Sequence, residues 1–545
     1  MNGAEALVRS LVNEGVEVIF GLPGTQILSI YDALSHEPKI RVITSRNEQA
    51  ITYMADGYAR TTGKVGVALT VPGPGALNTL SGLGTAYSAS SPVLLISGQV
   101  PSQMIGSGKG ALHEVDDQLD VFRPLTKWCA RITRSEDIPE AIHEAMERLK
   151  TGRPRPVELE FPPDILRAKS LPLVRKTAPA TSKNPAPEPS MIAKAVKILS
   201  RSRRPVILAG GGVIASDASQ ALQELAEKLN APVITSPEGK GSIPENHRLS
   251  LGANYHFGPV KYVVPKADVI FAVGTRLFPP TWRLKFEPGQ RLIQVDIDSQ
   301  EICRNIQVAL GINSDARSTL EQILKQLRVR NDSSSDWRAE ELDDIKGRVR
   351  KDLKKYAPVQ LSILETLRAE LAGDAILVNC ITNLGFWSSV CYKVLKPRTF
   401  ITASYFGTLG YGFPTALGAK IGNRDTQVVA LCGDGGFLYC AQELITAVNE
   451  KANLVVLLFN DNAYGTSLSE QRIDYGGNIF ATRLKNPDFI RLTEAFGARG
   501  VKLTGIRELK GALRKSLGLK KPTVIEIPMP TLVPPFQIIQ SNRTP

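Results

Sequence analysis

Two short turns, Gly433-Asp434-Gly435-Gly436 and Asn460-Asp461-Asn462, carry the sharpest chemistry in this sequence. The first ends the apolar run QVVALC. It opens a helix whose apolar residues Phe437, Leu438, Ala441, Leu444, Ile445 and Val448 recur with a helical period. The second turn ends the strand LVVLLF. In a parallel sheet both strand ends lie on the edge where doubly wound folds bind ligands, so Asp434 faces the Asn-Asp-Asn run. The glycines let backbone N–H groups approach phosphate oxygens, and the helix N-terminus adds a positive dipole end. Magnesium takes a near-octahedral oxygen shell of carboxylates, carbonyls and phosphate oxygens. Together the residue types fit a metal-bound diphosphate. An acidic turn with Asp434 capping its helix accounts for Gly-Asp-Gly alone, but not for the amide-rich turn at this spacing.

A second elbow lies near the N-terminus, where VGVALTV stops at Pro72-Gly73-Pro74-Gly75. A small-residue helix containing Asn78 follows, then the strand VLLISG. Before it, VEVIF ends in Gly21-Leu22-Pro23-Gly24 and RVITS ends near Glu48, which opens the helix QAITYMADGYAR. The elbow and Glu48 therefore share one sheet edge.

These turns need scaffolds, and short apolar strands alternating with helices supply them. The pattern means parallel sheets covered on both faces. The expected fold is α/β, with three doubly wound parallel-sheet domains. The N-terminal domain spans 1–165, a Pro/Lys/Ser-rich linker 166–189 and the central domain 190–335. A second linker covers 336–357, where IKGRVRKDLKKYAP (345–358) reads as a solvated, linker-like helix; the C-terminal domain spans 358–530 and a proline-containing tail 531–545. The C-terminal strands are read as AILVNC, RTFITAS, QVVALCG, LVVLLFN and TVIEIP. In the central domain AGGGV (209–213) is either a nucleotide-binding glycine turn or a tight strand–helix turn.

The chain has 545 residues, enough for about three domains. Its net charge of +13 is scattered, which argues against nucleic acid and for an anionic substrate or cofactor. Six cysteines without a CxxC pair read as buried free thiols rather than zinc ligands or disulfides. No apolar run has membrane length, and the first residues lack signal-peptide character, so a cytoplasmic location and no membrane partner are expected.

The pairing of GDG with an Asn-rich turn about thirty residues on resembles the signature of thiamine diphosphate-dependent enzymes. The segments GLPGTQILSIYDAL, RNEQAITYMADGYAR, GPGALNTLSGLGTAYSASSPVLLISGQV, GTLGYGFPTALGAK and GDGGFLYCAQELITAV resemble the acetolactate synthase-like branch of the pyruvate decarboxylase-type group. The resemblance runs over essentially the whole chain. It implies pyrimidine-binding, central and diphosphate-binding domains, in that order.

By that resemblance Glu48 is the catalytic carboxyl group at the aminopyrimidine ring, favouring the imino tautomer whose nitrogen removes the thiazolium C2 proton. The walls of the pyrimidine half would be Pro23, Gly24, Pro72, Gly73 and Asn78. Gly407 would offer its carbonyl to the exocyclic amine, and Leu409 would support the bent cofactor. Asn383, with the backbone around it, and Gly433, Asp434, Gly435, Gly436, Asp461, Tyr464 and Gly465 would hold the diphosphate. Magnesium would be bound by Asp434, the side chain of Asp461 and the carbonyl of Ala463. Asp461 stands where the family has asparagine, and a register change would bring in Asn460 or Asn462 instead.

On the substrate side, His113 replaces the family's glutamine and is a second catalytic candidate able to donate a proton. His256, Thr466 and Ser467 are further substrate candidates. In GTRLFPPTWR (274–283) Arg276 remains but both acidic residues of the flavin-binding pattern are missing, which argues against FAD. The expected activity is decarboxylation of a 2-oxo acid such as pyruvate, followed by transfer of the acyl-anion equivalent to a carbonyl acceptor. Alternatives are a non-ligating 2-oxo-acid decarboxylase, a lyase acting on 2-hydroxy ketones or 2-hydroxyacyl-CoA, and a non-catalytic cofactor-binding paralogue. The family's geometry implies a homodimer or homotetramer with sites shared between subunits.

Overall fold

The computed structural model describes residues 1–169, 178–253, 259–277, 286–328 and 335–536. Three parallel sheets organise the chain. The first contains β1 (Val18–Gly21), β2 (Arg41–Thr44), β3 (Gly66–Thr70), β4 (Val93–Gly98), β5 (Trp128–Arg131) and β6 (Val157–Phe161), in the spatial order β2-β1-β3-β4-β6-β5. The second contains β7 (Pro205–Ala209), β8 (Val233–Thr235), β9 (Val269–Val273), β10 (Arg291–Asp296) and β11 (Leu310–Asn313), ordered β11-β10-β9-β7-β8. The third contains β12 (Ile376–Asn379), β13 (Phe400–Ile401), β14 (Val428–Gly433), β15 (Val455–Asn460), β16 (Arg499–Lys502) and β17 (Thr523–Pro528), ordered β13-β12-β14-β15-β17-β16. The first and third sheets thus have the same topology. In each, chain direction reverses beside the first strand, which puts a ligand crevice at the carboxyl ends of β1/β3 and of β12/β14.

These two sheets share a core. Tyr53, Met54 and Ala55 from the helix Glu48–Thr62 interlock with Phe413, Ala416 and Leu417 from the helix Gly412–Gly422. Glycines set the closeness of this crossing. A β-carbon on Gly57 would run into the Thr415 carbonyl, and one on Gly418 into the Met54 carbonyl. The outer faces of the two sheets have their own apolar clusters, and the central domain has a fourth. Of the cysteines, all read as buried, Cys432 and Cys440 are so, whereas Cys129, Cys303, Cys380 and Cys391 are only partly buried.

The tract 345–358, read as a solvated helix, belongs to a helix that starts earlier, Ala339–Tyr356, and one face of it is buried. Leu342 and Ile345 join the central core, and Val349 and Leu353 the outer core of the third sheet. Spacings of three and four residues keep all four on one stripe. Within the stretch read as the first linker, the chain is helical from Pro163 to Arg167 and again from Pro189, and residues 170–177 lie outside the described ones. The strand read from RTFITAS contracts to Phe400–Ile401. Arg398 has a left-handed φ of 63°, and the Thr402 carbonyl accepts from Arg60 (2.6 Å) and from the Tyr411 hydroxyl (2.8 Å) instead of a neighbouring strand.

Candidate active site

The first half of the site stands at the ends of β1 and β3. Asn47 caps the helix that Glu48 begins, its side chain accepting from Gln49 N–H at 2.8 Å. This fixes the Glu48 carboxylate at the sheet edge, where it is buried and accepts from Asn78 Nδ2 at 3.1 Å. A β-carbon on Gly75 would lie 3.5 Å from Glu48 Oε1, so the elbow packs on the carboxylate. Gly73 has φ 58° and ψ −115°, a backbone shape that a side chain strains. Gly24 lies against Val71, so the Pro23-Gly24 turn adjoins the elbow.

Gln118 gives this elbow a support that the sequence reading missed. Its Oε1 accepts from Gly73 N–H at 2.9 Å, while Nε2 donates to Ser97 Oγ, the Gly98 carbonyl and Glu160 Oε2. Behind it stand two fully buried glutamates. Glu160 pairs with Arg131, whereas among the described residues Glu158 accepts only from Ser97 Oγ, at 2.6 Å. Burial, reinforced by Glu160, pushes the Glu158 carboxyl well above the usual carboxylate range.

His113 lies over Gly73, its carbonyl and β-carbon in contact with the elbow. The residue is half-buried and left-handed at φ 71°, a strain of about 1 kcal/mol for a non-glycine residue. Its Nδ1 is buried and has no hydrogen-bond partner among the described residues. Glu114 holds the loop, accepting from the N–H groups of Gly108, Gly110 and Ala111, and these bonds keep its carboxyl below the ordinary value.

The second half stands at the ends of β12, β14 and β15. Asp434 is buried at the start of the short helix Asp434–Phe437; the helix read onward to Val448 is broken at 438–442 and resumes as Glu443–Asn449. Burial, with Asp461 nearby, raises its carboxyl to about 6, partly countered by a hydrogen bond from Asn486. Asn486 Nδ2 donates to Asp434 Oδ2 at 2.6 Å, Asn460 Oδ1 at 3.0 Å and Asn462 Oδ1 at 3.3 Å. Asp461 leans over the start of the helix Gly465–Asp474, and burial raises its carboxyl too, partly countered by Thr531.

The loop is shaped by antiparallel pairing of Ala463 with Arg483, with Tyr464 N–H donating to the Thr482 carbonyl at 2.9 Å. Tyr464 covers Gly435, and Leu409 lies 3.7 Å from where a β-carbon on Gly436 would stand. Gly407 is left-handed and exposed. Asn383 begins a helix beside Gly433, but its side chain is occupied, donating to the Leu532 carbonyl at 2.8 Å and accepting from Gln360. Any contact from this position to a ligand therefore falls to backbone N–H groups. Thr466 is half-buried and Ser467 exposed on the first turn of the Gly465–Asp474 helix.

Hydrogen bonds join the elements that carry the two halves. Tyr53 OH meets Thr408 Oγ1 at 2.8 Å, and the buried Glu443 accepts from Ser45 Oγ and Arg46 N–H, both at 2.9 Å. Among the described residues no hydrogen bond joins the Glu48–Asn78–Gly73 group to the Asp434–Asp461–Asn486 group. Exposed apolar side chains lie in both: Leu77 and Leu112 in the first, Leu438, Tyr439 and Tyr464 in the second.

Beyond these, a cavity of about 510 Å3 opens at the carboxyl ends of the second sheet, lined by Gly211, Glu238, Arg276 and Asp296 and reaching Cys380. Gly210 and Gly212 pack on Gly274 with no room for a β-carbon, as the tight-turn reading of AGGGV requires. Arg276 lies over the Tyr405 ring at 4.4 Å. His256 and the remainder of the flavin-pattern segment, 278–283, lie outside the described residues.

Models of three domains match this chain: the N-terminal TPP binding domain of thiamine pyrophosphate enzymes over residues 1–121, their central domain over 192–323 and their C-terminal TPP binding domain over 381–527. A probable acetolactate synthase large subunit of Methanococcus aeolicus is 36% identical, the alignment covering 96% of this chain and 92% of that protein. A probable 2-ketoarginine decarboxylase of Pseudomonas aeruginosa is 35% identical, covering 97% and 94%. The acetolactate synthase isozyme 3 large subunit of Escherichia coli is 35% identical, covering 95% and 92%.

Proposed function

The chain belongs to the thiamine pyrophosphate enzymes, which make or break C–C bonds, and from that premise we propose that it decarboxylates a 2-oxo acid and transfers the acyl unit to a carbonyl acceptor. One observation carries the reading: Glu48 and Asp434 stand at corresponding crevices of two sheets of identical topology, each braced by a side-chain amide. Thiamine diphosphate, when bound between these crevices, would supply a carbon nucleophile and an electron sink for decarboxylation.

The protein's own residues divide the remaining work. Glu48 holds a proton at the pyrimidine ring, with Asn78 steadying its carboxylate. Leu409 and the Gly407 carbonyl support the cofactor from the other side. Asp434, Asp461 and the Ala463 carbonyl hold magnesium against the diphosphate. The donor set suits that ion, because two carboxylates and a backbone carbonyl are hard oxygen ligands, and burial already crowds the Asp434 and Asp461 carboxyl groups at one turn. His113, Thr466 and Ser467 face the substrate, and His113 is the proton donor among them.

The functional unit in this reading is a dimer in which the Glu48 half of one chain meets the Asp434 half of its partner. The exposed apolar side chains in both halves support it, because a second copy would cover them. No flavin is part of the reading. Nothing in it calls for a membrane, and among the described residues no helix is long and apolar enough to cross one. Simple decarboxylation is the second reading, favoured by the probable 2-ketoarginine decarboxylase at 35% identity. The deciding experiment supplies the apo-protein with thiamine diphosphate, magnesium and a panel of 2-oxo acids, with and without acceptor aldehydes or 2-oxo acids. Carbon dioxide release with a ligated product supports the first reading; release with only an aldehyde product supports the second; neither product refutes both.

A further inference from the structure

We propose that Cys380 and Cys432 are a thiol modification site, oxidised to an intramolecular disulfide by a peroxide that enters the central cavity. The Cys380 thiol donates to Cys432 Sγ at 3.5 Å, and no other cysteine pair makes such a contact among the described residues. Cys380 follows β12 and Cys432 lies in the adjacent β14, with Cys380 N–H donating to the Leu431 carbonyl at 3.1 Å. Adjacent strands run about 4.8 Å apart, within the span that a disulfide bridges, so closure needs thiol rotation rather than strand movement. Access is asymmetric. Cys380 is partly exposed and lines the cavity of about 510 Å3, while Cys432 is buried behind it.

The chemistry follows from that order. The Cys380 sulfur attacks a peroxide oxygen, the O–O bond breaks, and Cys380 becomes a sulfenic acid with loss of one water. The Cys432 sulfur then attacks the sulfenic sulfur, forming S–S and releasing a second water. Two thiols and one hydrogen peroxide become one disulfide and two waters.

The position gives the bond a consequence, which rests on the diphosphate reading of this half of the site. Cys380 lies two residues before Thr382, which caps the Asn383–Cys391 helix, and Cys432 two residues before Asp434. Gly412 is packed on the Cys380 sulfur without room for a β-carbon, and it starts the helix that follows the Gly407–Leu409 segment. Drawing the two sulfurs together moves the packing beneath all three segments, and with it their grip on the cofactor.

The test treats the purified full-length apo-protein with hydrogen peroxide, then maps its peptides without reduction and measures thiamine diphosphate binding. The expected result is a Cys380–Cys432 linked peptide, cofactor affinity about tenfold weaker, and recovery with dithiothreitol. Cys432→Ser should keep its affinity under the same treatment and yield a Cys380 sulfenic acid trapped by dimedone, with Cys380→Ala giving no adduct there. Free thiols at both positions after oxidation of the rest of the protein overturn the site. A quantitative link with unchanged affinity overturns its consequence. If the reduced protein binds no thiamine diphosphate, the functional reading fails, and the peptide map still decides the disulfide.

Discussion

Asn486 donates its amide to Asp434 Oδ2 at 2.6 Å and to Asn460 Oδ1 at 3.0 Å, so one N–H2 group links a proposed metal ligand to the neighbouring amide-rich turn. The same bond holds the Asp434 carboxyl down against burial, which pushes it up. Asn486 thereby orients the group proposed as metal ligand. Replacing such a partner typically costs 10- to 100-fold in metal affinity. Asn486→Ala should therefore weaken magnesium-dependent cofactor binding about tenfold, read by calorimetric titration, while the thermal transition of the apo-protein stays nearly unchanged. Wild-type affinity in this variant would remove Asn486 from the site.

Glu48→Gln isolates proton transfer from binding. The amide still accepts from Asn78 through its oxygen, so the sheet edge and helix cap are retained. Turnover should fall by about 10²–10⁴, the range of general acid–base contributions, with cofactor affinity changed far less. Equal losses in both would make Glu48 a binding residue.

Why one half of this chemistry was legible and its supports were not is a matter of sequence distance. GDGG and Asn-Asp-Asn are continuous turns whose glycines and amides declare themselves locally. Asn486 reaches Asp434 only because residues 482–484 pair with 462–464, a connection that no periodicity encodes. Gln118 is equally hidden, reaching Gly73 from 45 positions away. The strands β5, β11 and β16 escaped because all three lie at sheet edges and are only partly buried, so none carries the continuous apolar run of an inner strand. The Gly57/Gly418 crossing reads as two ordinary helix glycines until the sheets are stacked.

That crossing makes a stability prediction. A side chain at Gly418 cannot enter without moving the Met54 carbonyl of the facing helix. Gly418→Val should cost about 3 kcal/mol, the upper end of overpacking penalties, measured by urea denaturation. A neutral result would mean the helices separate freely.

The Glu158 carboxyl sets a pH dependence. Its folded-state value is raised by burial, so the folded protein binds a proton that the unfolded chain releases at the ordinary carboxylate value. The contribution is fully present below the unfolded value of about 4.3 and is lost as pH rises toward the folded one. Glu158→Gln, which keeps a hydrogen-bond acceptor for Ser97, should flatten the decline of Tm between pH 5 and 8. Parallel Tm curves for the two proteins would show that the group ionises in place at no cost.

The shared-site reading has its own arithmetic. Neither Glu48→Gln nor Asp434→Asn chains alone assemble a complete site. In a mixed dimer, the wild-type Glu48 of one chain meets the wild-type Asp434 of the other at one site, while the second site carries both changes. Random reassortment makes half of the dimers mixed, with one of their two sites intact, so co-refolding equal amounts should restore about a quarter of wild-type activity. If each chain instead completed its own site, every site in the mixture would carry one change, and activity would stay at the level of the separate variants.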